Sequence, residues 1–117
     1  MKKVFHLKSC STCIRIIKEV QWPEDIEFQN IKVQNVSKIE LKEIVEKVGS
    51  YEALFSRRAM KYKSMGLAQK ALTEKEYERL ILEEYTFLKR PVVVYKNEVF
   101  VGNSKKVVEG LVSFFKS

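Results

Sequence analysis

The chain has 117 residues and carries 22 Lys and Arg against 15 Asp and Glu, a formal net charge of +7. That length predicts one domain with a modest core. No apolar run approaches the roughly 20 residues of a membrane span, and the basic start Met1-Lys2-Lys3 lacks the apolar run of a secretory signal, so the chain is expected in the cytoplasm. The positive charge would suit nucleic acid, an acidic protein or a small oxyanion. The lysines are scattered as on a solvated surface, and no DNA-reading motif is present.

Lys3-Val4-Phe5-His6-Leu7 reads as a buried strand. A loop over residues 8–10 leads to a helix capped by Ser11 or Thr12, with Cys13, Ile14, Ile16, Ile17 and Val20 as its apolar positions, stopped at Trp22-Pro23. Ile26–Gln29 alternates apolar and polar residues and predicts a second strand. Ser37-Lys-Ile-Glu40 is a capping box opening a helix whose apolar face is Leu41, Ile44, Val45 and Val48, ended by Gly49. A basic segment from Tyr51 to Lys70 predicts short helices with turns near Gly66. Thr73-Glu-Lys-Glu76 opens a further helix that carries Tyr77, Leu80, Ile81 and Leu88 and is broken at Arg90-Pro91. Residues 91–95 and 98–101 form a hairpin across Lys96-Asn97. A helix from about Lys105 to Phe115 closes the chain. The order predicts an α/β fold: a mixed four-stranded sheet flanked by helices, one domain over 1–117, with a helical insertion at about 50–88. Near-continuous apolar runs in the late strands predict a sheet buried on both faces.

Cys10 and Cys13 are the only cysteines. Cross-linking residues so close together restrains little of the unfolded chain, so the pair reads as chemistry before structure. A cysteine reacts as its thiolate, and unpaired amides at a helix N-terminus favour an anion. Cys10 falls just before the predicted helix and Cys13 one turn further on, placed to resolve a mixed disulfide. Zinc would need further ligands, and His6 is the only histidine. Two inert cysteines are the remaining alternative. His6 either supports the Cys10 thiolate or simply ends a strand half-buried. Pro91 is the first residue of a predicted strand, and Arg90 before it carries a planar fork of donors that suits an oxyanion or carboxylate.

His6-Leu-Lys-Ser-Cys10-Ser-Thr-Cys13, Gly49-Ser-Tyr-Glu52-Ala-Leu-Phe-Ser-Arg57-Arg58, Leu88-Lys-Arg90-Pro91-Val and Phe100-Val-Gly102 together resemble the ArsC family, which contains glutaredoxin-coupled arsenate reductases and the Spx transcription regulators. The resemblance implies a thioredoxin-like fold, in which Pro91 with a cis peptide bond lies opposite Cys10 and brings Arg90 near it. It makes Cys10 the nucleophile, with Cys13 and His6 beside it in the catalytic set. The implied substrate contacts are Arg58, Arg90, Pro91, Ser11 and Thr12, with Arg57 the alternative to Arg58. Two departures stand out. Asn103 occupies the place of the reductases' third arginine, and the Cys-x-x-Cys pair is more like Spx. The resemblance therefore implies a thiol oxidoreductase acting on a small oxyanion or mixed disulfide. No bound cofactor is expected, and thioredoxin, glutaredoxin or glutathione would donate the electrons. The alternatives are a redox-switched regulator that binds RNA polymerase and an enzyme for another thiol substrate. A monomer is expected.

Overall fold

A computed structural model describes residues 1–116. The chain divides into two compact units, one formed by Met1–Gln34 with the segment from Arg90 onward and the other by Asn35–Lys89. The second unit holds the capped helix after Ser37 as well as the basic segment.

The first unit is built on a four-stranded sheet of order β2-β1-β3-β4, with β1 Lys2–His6, β2 Glu27–Asn30, β3 Val92–Tyr95 and β4 Glu98–Val101. β1 runs parallel to β2 and antiparallel to β3, and β3 and β4 form the expected hairpin. Its two-residue turn puts Lys96 at φ 56°, in the left-handed region that few non-glycine residues adopt. Helix α1, Ser11–Glu19, joins β1 to β2, and the C-terminal helix Lys105–Phe114 follows β4. Register pairs Val4 with Val93. Both sit in one core with Ile16, Val20, Ile26 and Leu111, so the two helices share this face of the sheet. Trp22 closes its end, donating its indole N–H to the Ile17 carbonyl and packing edge-on against Phe28. On the opposite face Phe5, Val92 and Val94 are also buried, as the unbroken apolar runs predict.

β2 lies one residue later than its alternation predicts. Ile26 is buried before the strand begins, Phe28 is 42% exposed and Gln29 is only 4% exposed. Gln29 sits opposite Phe5 and is a satisfied buried amide. It accepts from Lys3 Nζ and donates to the Gln34 carbonyl.

In the second unit the helices are α2, Lys38–Val48; α3, Met60–Ser64; and α4, Glu74–Glu83; this makes the C-terminal helix α5. Both predicted capping boxes are present, Ser37 with Glu40 and Thr73 with Glu76. Gly49 ends α2 at φ 100°. Phe55 is fully buried and contacts the rings of Tyr62, Tyr77 and Phe87. The Asn35 amide donates to the carbonyls of Ile81 and Leu82, tying the start of the unit to the end of α4. That helix ends at Glu83, earlier than the expected run through Leu88. The Glu84 carboxylate instead accepts from the amide and hydroxyl of Thr86 and starts a separate 3-10 turn, Tyr85–Phe87. Leu88 is then extended and forms a bridge with Phe55.

Candidate active site

The site grows from the end of β1. After His6 the chain turns through Leu7, whose carbonyl accepts from the Cys10 amide at 3.0 Å. The N-cap of α1 is Cys10 itself, in extended backbone (φ −86°, ψ 115°). Ser11 and Thr12 are therefore the first helical residues and not the cap expected from their hydroxyls. Ser and Thr outrank Cys as caps. Cys10 makes no side-chain capping hydrogen bond, and the first amides of the helix instead favour its sulfur as an anion.

Burial taken alone would raise the Cys10 thiol. The amide of Cys13, the Arg90 guanidinium, the Cys13 thiol and the amide of Thr12 outweigh it and hold Cys10 below the ordinary thiol value. Cys13 is the opposite case. It is wholly buried, and burial, with the neighbouring Cys10 charge, pushes it up to about 11 against the pull of the Leu7 backbone and of Arg90. Two chemically identical side chains are thus split, one toward thiolate and one held as thiol. Both are free cysteines.

Arg90 precedes β3, and its bond to the buried Pro91 is cis. Its side chain is half-buried, and Nε is buried with no hydrogen-bond partner. Its carbonyl accepts from Asn103 Nδ2 at 3.0 Å, and the Pro91 carbonyl accepts from the Gly102 amide at 2.9 Å. The sequence around Asn103 carries no sign of this contact, because the pairing depends on the hairpin folding residue 103 back onto residue 90. The two-residue Lys96-Asn97 turn was the one signal that could have placed them together.

His6 lies half-buried beside the edge of Phe28, ring centroids 6.0 Å apart. Its Nδ1 is buried without a partner. Burial holds the imidazole below its ordinary value, so it is neutral near pH 7.

The two candidate arginines of the second unit differ. Arg57 donates to the Glu52 carboxylate at 2.7 Å and to the Tyr77 hydroxyl at 3.0 Å. Arg58 is exposed and has no hydrogen bond or ion pair among the described residues. Among the described residues no three His, Cys, Asp or Glu side chains gather as metal ligands, and no helix is long and apolar enough to cross a membrane.

A β-α-β start, an antiparallel hairpin, and a helix-opening cysteine near an Arg-Pro turn define a thioredoxin-like protein. The sequence profile of the ArsC family matches residues 5–111, and the chain belongs to that family. Solved structures agree on the fold. An ArsC family related protein from Bacteroides fragilis is 27% identical with a TM-score of 0.75, over 95% of this chain and 99% of the other. A possible arsenate reductase from Streptococcus mutans UA159 is 23% identical with a TM-score of 0.76, over 95% and 97%. An arsenate reductase from Vibrio cholerae is 18% identical with a TM-score of 0.69, over 96% and 97%. Comparison with curated proteins gave no match.

Proposed function

We propose that the chain is a thiol oxidoreductase of the arsenate reductase type, with Cys10 as its nucleophile. The observation that carries this reading is the split of the two thiols: Cys10 lowered by helix amides and Arg90, Cys13 held protonated by burial. The Cys10 thiolate attacks the arsenic of arsenate, forming a sulfur–arsenic bond as an oxygen leaves as hydroxide or water. Arg90 and the α1 amides meet the oxyanion charge. The sulfur of Cys13, or of glutathione, thioredoxin or glutaredoxin, then attacks Cys10 sulfur. The sulfur–arsenic pair of electrons stays on arsenic, giving arsenite and a disulfide, so two thiols are oxidised as one arsenic is reduced by two electrons.

Adduct formation itself prepares Cys13 for the second step. The Cys10 thiolate is one of the groups that raise Cys13, and Arg90 is one that lowers it. Once Cys10 is bonded to arsenic the charge moves from its sulfur to the arsenic oxygens that Arg90 meets, so the repulsion from the Cys10 thiolate is relieved and the Cys13 proton is lost more easily. Arsenate-dependent oxidation, assayed with each of the three donors, tests the reading. Cys10→Ser abolishes turnover, and Arg90→Ala raises KM and lowers kcat. Arg58→Ala, carried over from the resemblance, raises KM for arsenate. A Cys10→Ser protein that turns over like the parent, or no turnover with any donor, contradicts it.

The same pair supports a second reading, a redox switch, because the two free thiols lie within hydrogen-bonding reach of one another and a disulfide needs little rearrangement. In that case RNA polymerase is retained by the protein in one redox state only, and Cys10→Ser/Cys13→Ser loses the difference.

A further inference from the structure

The Arg90 guanidinium reaches Cys10 while its buried Nε has no hydrogen-bond partner, and the backbone that carries it is held by a short stretch of chain. Two consecutive residues after β4 grip the segment. The Gly102 amide takes the Pro91 carbonyl and the Asn103 side chain takes the Arg90 carbonyl. A carbonyl accepts and cannot donate, so the amide nitrogen of Asn103 must face it; the side chain's orientation follows from its partner. Gly102 has φ 87°, a conformation that favours glycine, and it turns the chain so that Asn103 points back to residue 90. Ser104 caps α5 on the far side of this turn, accepting from the Val107 amide. Asn103 therefore sits between a fixed turn and a capped helix and is half-buried.

We infer that Asn103 is a positioning residue: through the Arg90 carbonyl it fixes the direction in which the guanidinium is presented to the Cys10 sulfur. Arg90 and Asn103 are one functional pair, and Asn103 itself contacts neither sulfur nor substrate. The inference rests on the proposed function only in taking Cys10 as the reacting sulfur. It predicts that loss of the Asn103 donor is felt at Cys10, two elements away, and only while Arg90 is present.

The test measures Cys10 alkylation by iodoacetamide against pH on the reduced full-length protein, needing no substrate or donor. Asn103→Leu keeps the side-chain bulk and removes the donor. It is expected to raise the apparent Cys10 pKa by about half a unit, which is about a threefold slower alkylation below that pKa. In an Arg90→Ala background the same change has no further effect, since the interaction it serves is gone. Asn103→Gln, which retains an amide donor, recovers part of the shift and serves as the test variant if Asn103→Leu does not fold. Ser104→Ala removes the α5 cap and lowers the thermal midpoint without moving the Cys10 profile. A wild-type profile in Asn103→Leu overturns the inference. So does an equal shift in the Arg90→Ala background, or a Ser104→Ala profile shifted as far as that of Asn103→Leu. Failure of arsenate turnover would leave these outcomes untouched.

Discussion

At the residue scale, identity of chemistry does not give identity of behaviour. Cys10 and Cys13 differ in burial and in which donors reach them, and that alone separates the lowered thiol from the raised one. In Cys13→Ser the serine hydroxyl still donates, so Cys10 stays reactive. Cys13→Ala removes that donor and raises the Cys10 alkylation pKa, measured by mass spectrometry of the labelled protein. His6→Gln leaves the Cys10 profile within about twofold, because a neutral imidazole adds no charge at the sulfur. A larger upward shift would mean that His6 helps to set the thiol. The paired arginines separate in the same way. Arg57→Ala loses Glu52 and Tyr77 and lowers the thermal midpoint, whereas Arg58→Ala, with no such partners, leaves it unchanged. Sequence alone could not choose between adjacent arginines, since the choice depends on Glu52 and on Tyr77 twenty positions away.

At the scale of elements, α1 carries the tension between stability and reactivity. Its N-cap is a cysteine that makes no full capping bond. Cys10→Ser is therefore expected to stabilise the protein, by about 1 kcal/mol from the improved cap, while abolishing reactivity. Thermal unfolding checks this, and a lower midpoint would mean that the sulfur packs better than a hydroxyl caps. Ser37→Ala removes half of a formed capping box and is expected to cost about 1 kcal/mol. Local chemistry was the most legible part of the fold. Capping boxes at Ser37 and Thr73, the Gly49 stop and the two-residue hairpin depend on neighbours in sequence. The shifted start of β2 and the early end of α4 depend on more distant partners. Gln29 is buried because it lies opposite Phe5, and Leu88 is extended because it pairs with Phe55. The position of the cysteine pair at the mouth of a helix was legible for the same local reason, but the Asn103–Arg90 contact was not.

At the scale of the molecule, the thiols and the histidine set how stability follows pH. The unfolded chain releases a cysteine proton near pH 8.5, whereas folded Cys13 holds its proton to about 11. Between those values the folded state binds more protons, so stability falls as pH rises. Cys10 has the opposite sign. Its lowered value adds stability as pH rises through the folded value toward about 8.5, and the gain is complete above that. His6 is held neutral by burial, so stability also falls as pH drops below about 6.5, where the unfolded histidine takes up its proton first. Denaturant midpoints against pH should therefore fall at both ends, with the alkaline loss removed in Cys13→Ser. The split between the two thiols is read in a single titration, ultraviolet absorbance of thiolate in the reduced intact protein. Two separated steps are expected, the lower one below the ordinary thiol value and missing in Cys10→Ser, the upper one near 11. A single shared step near 8.5, or a low step that survives Cys10→Ser, would contradict it.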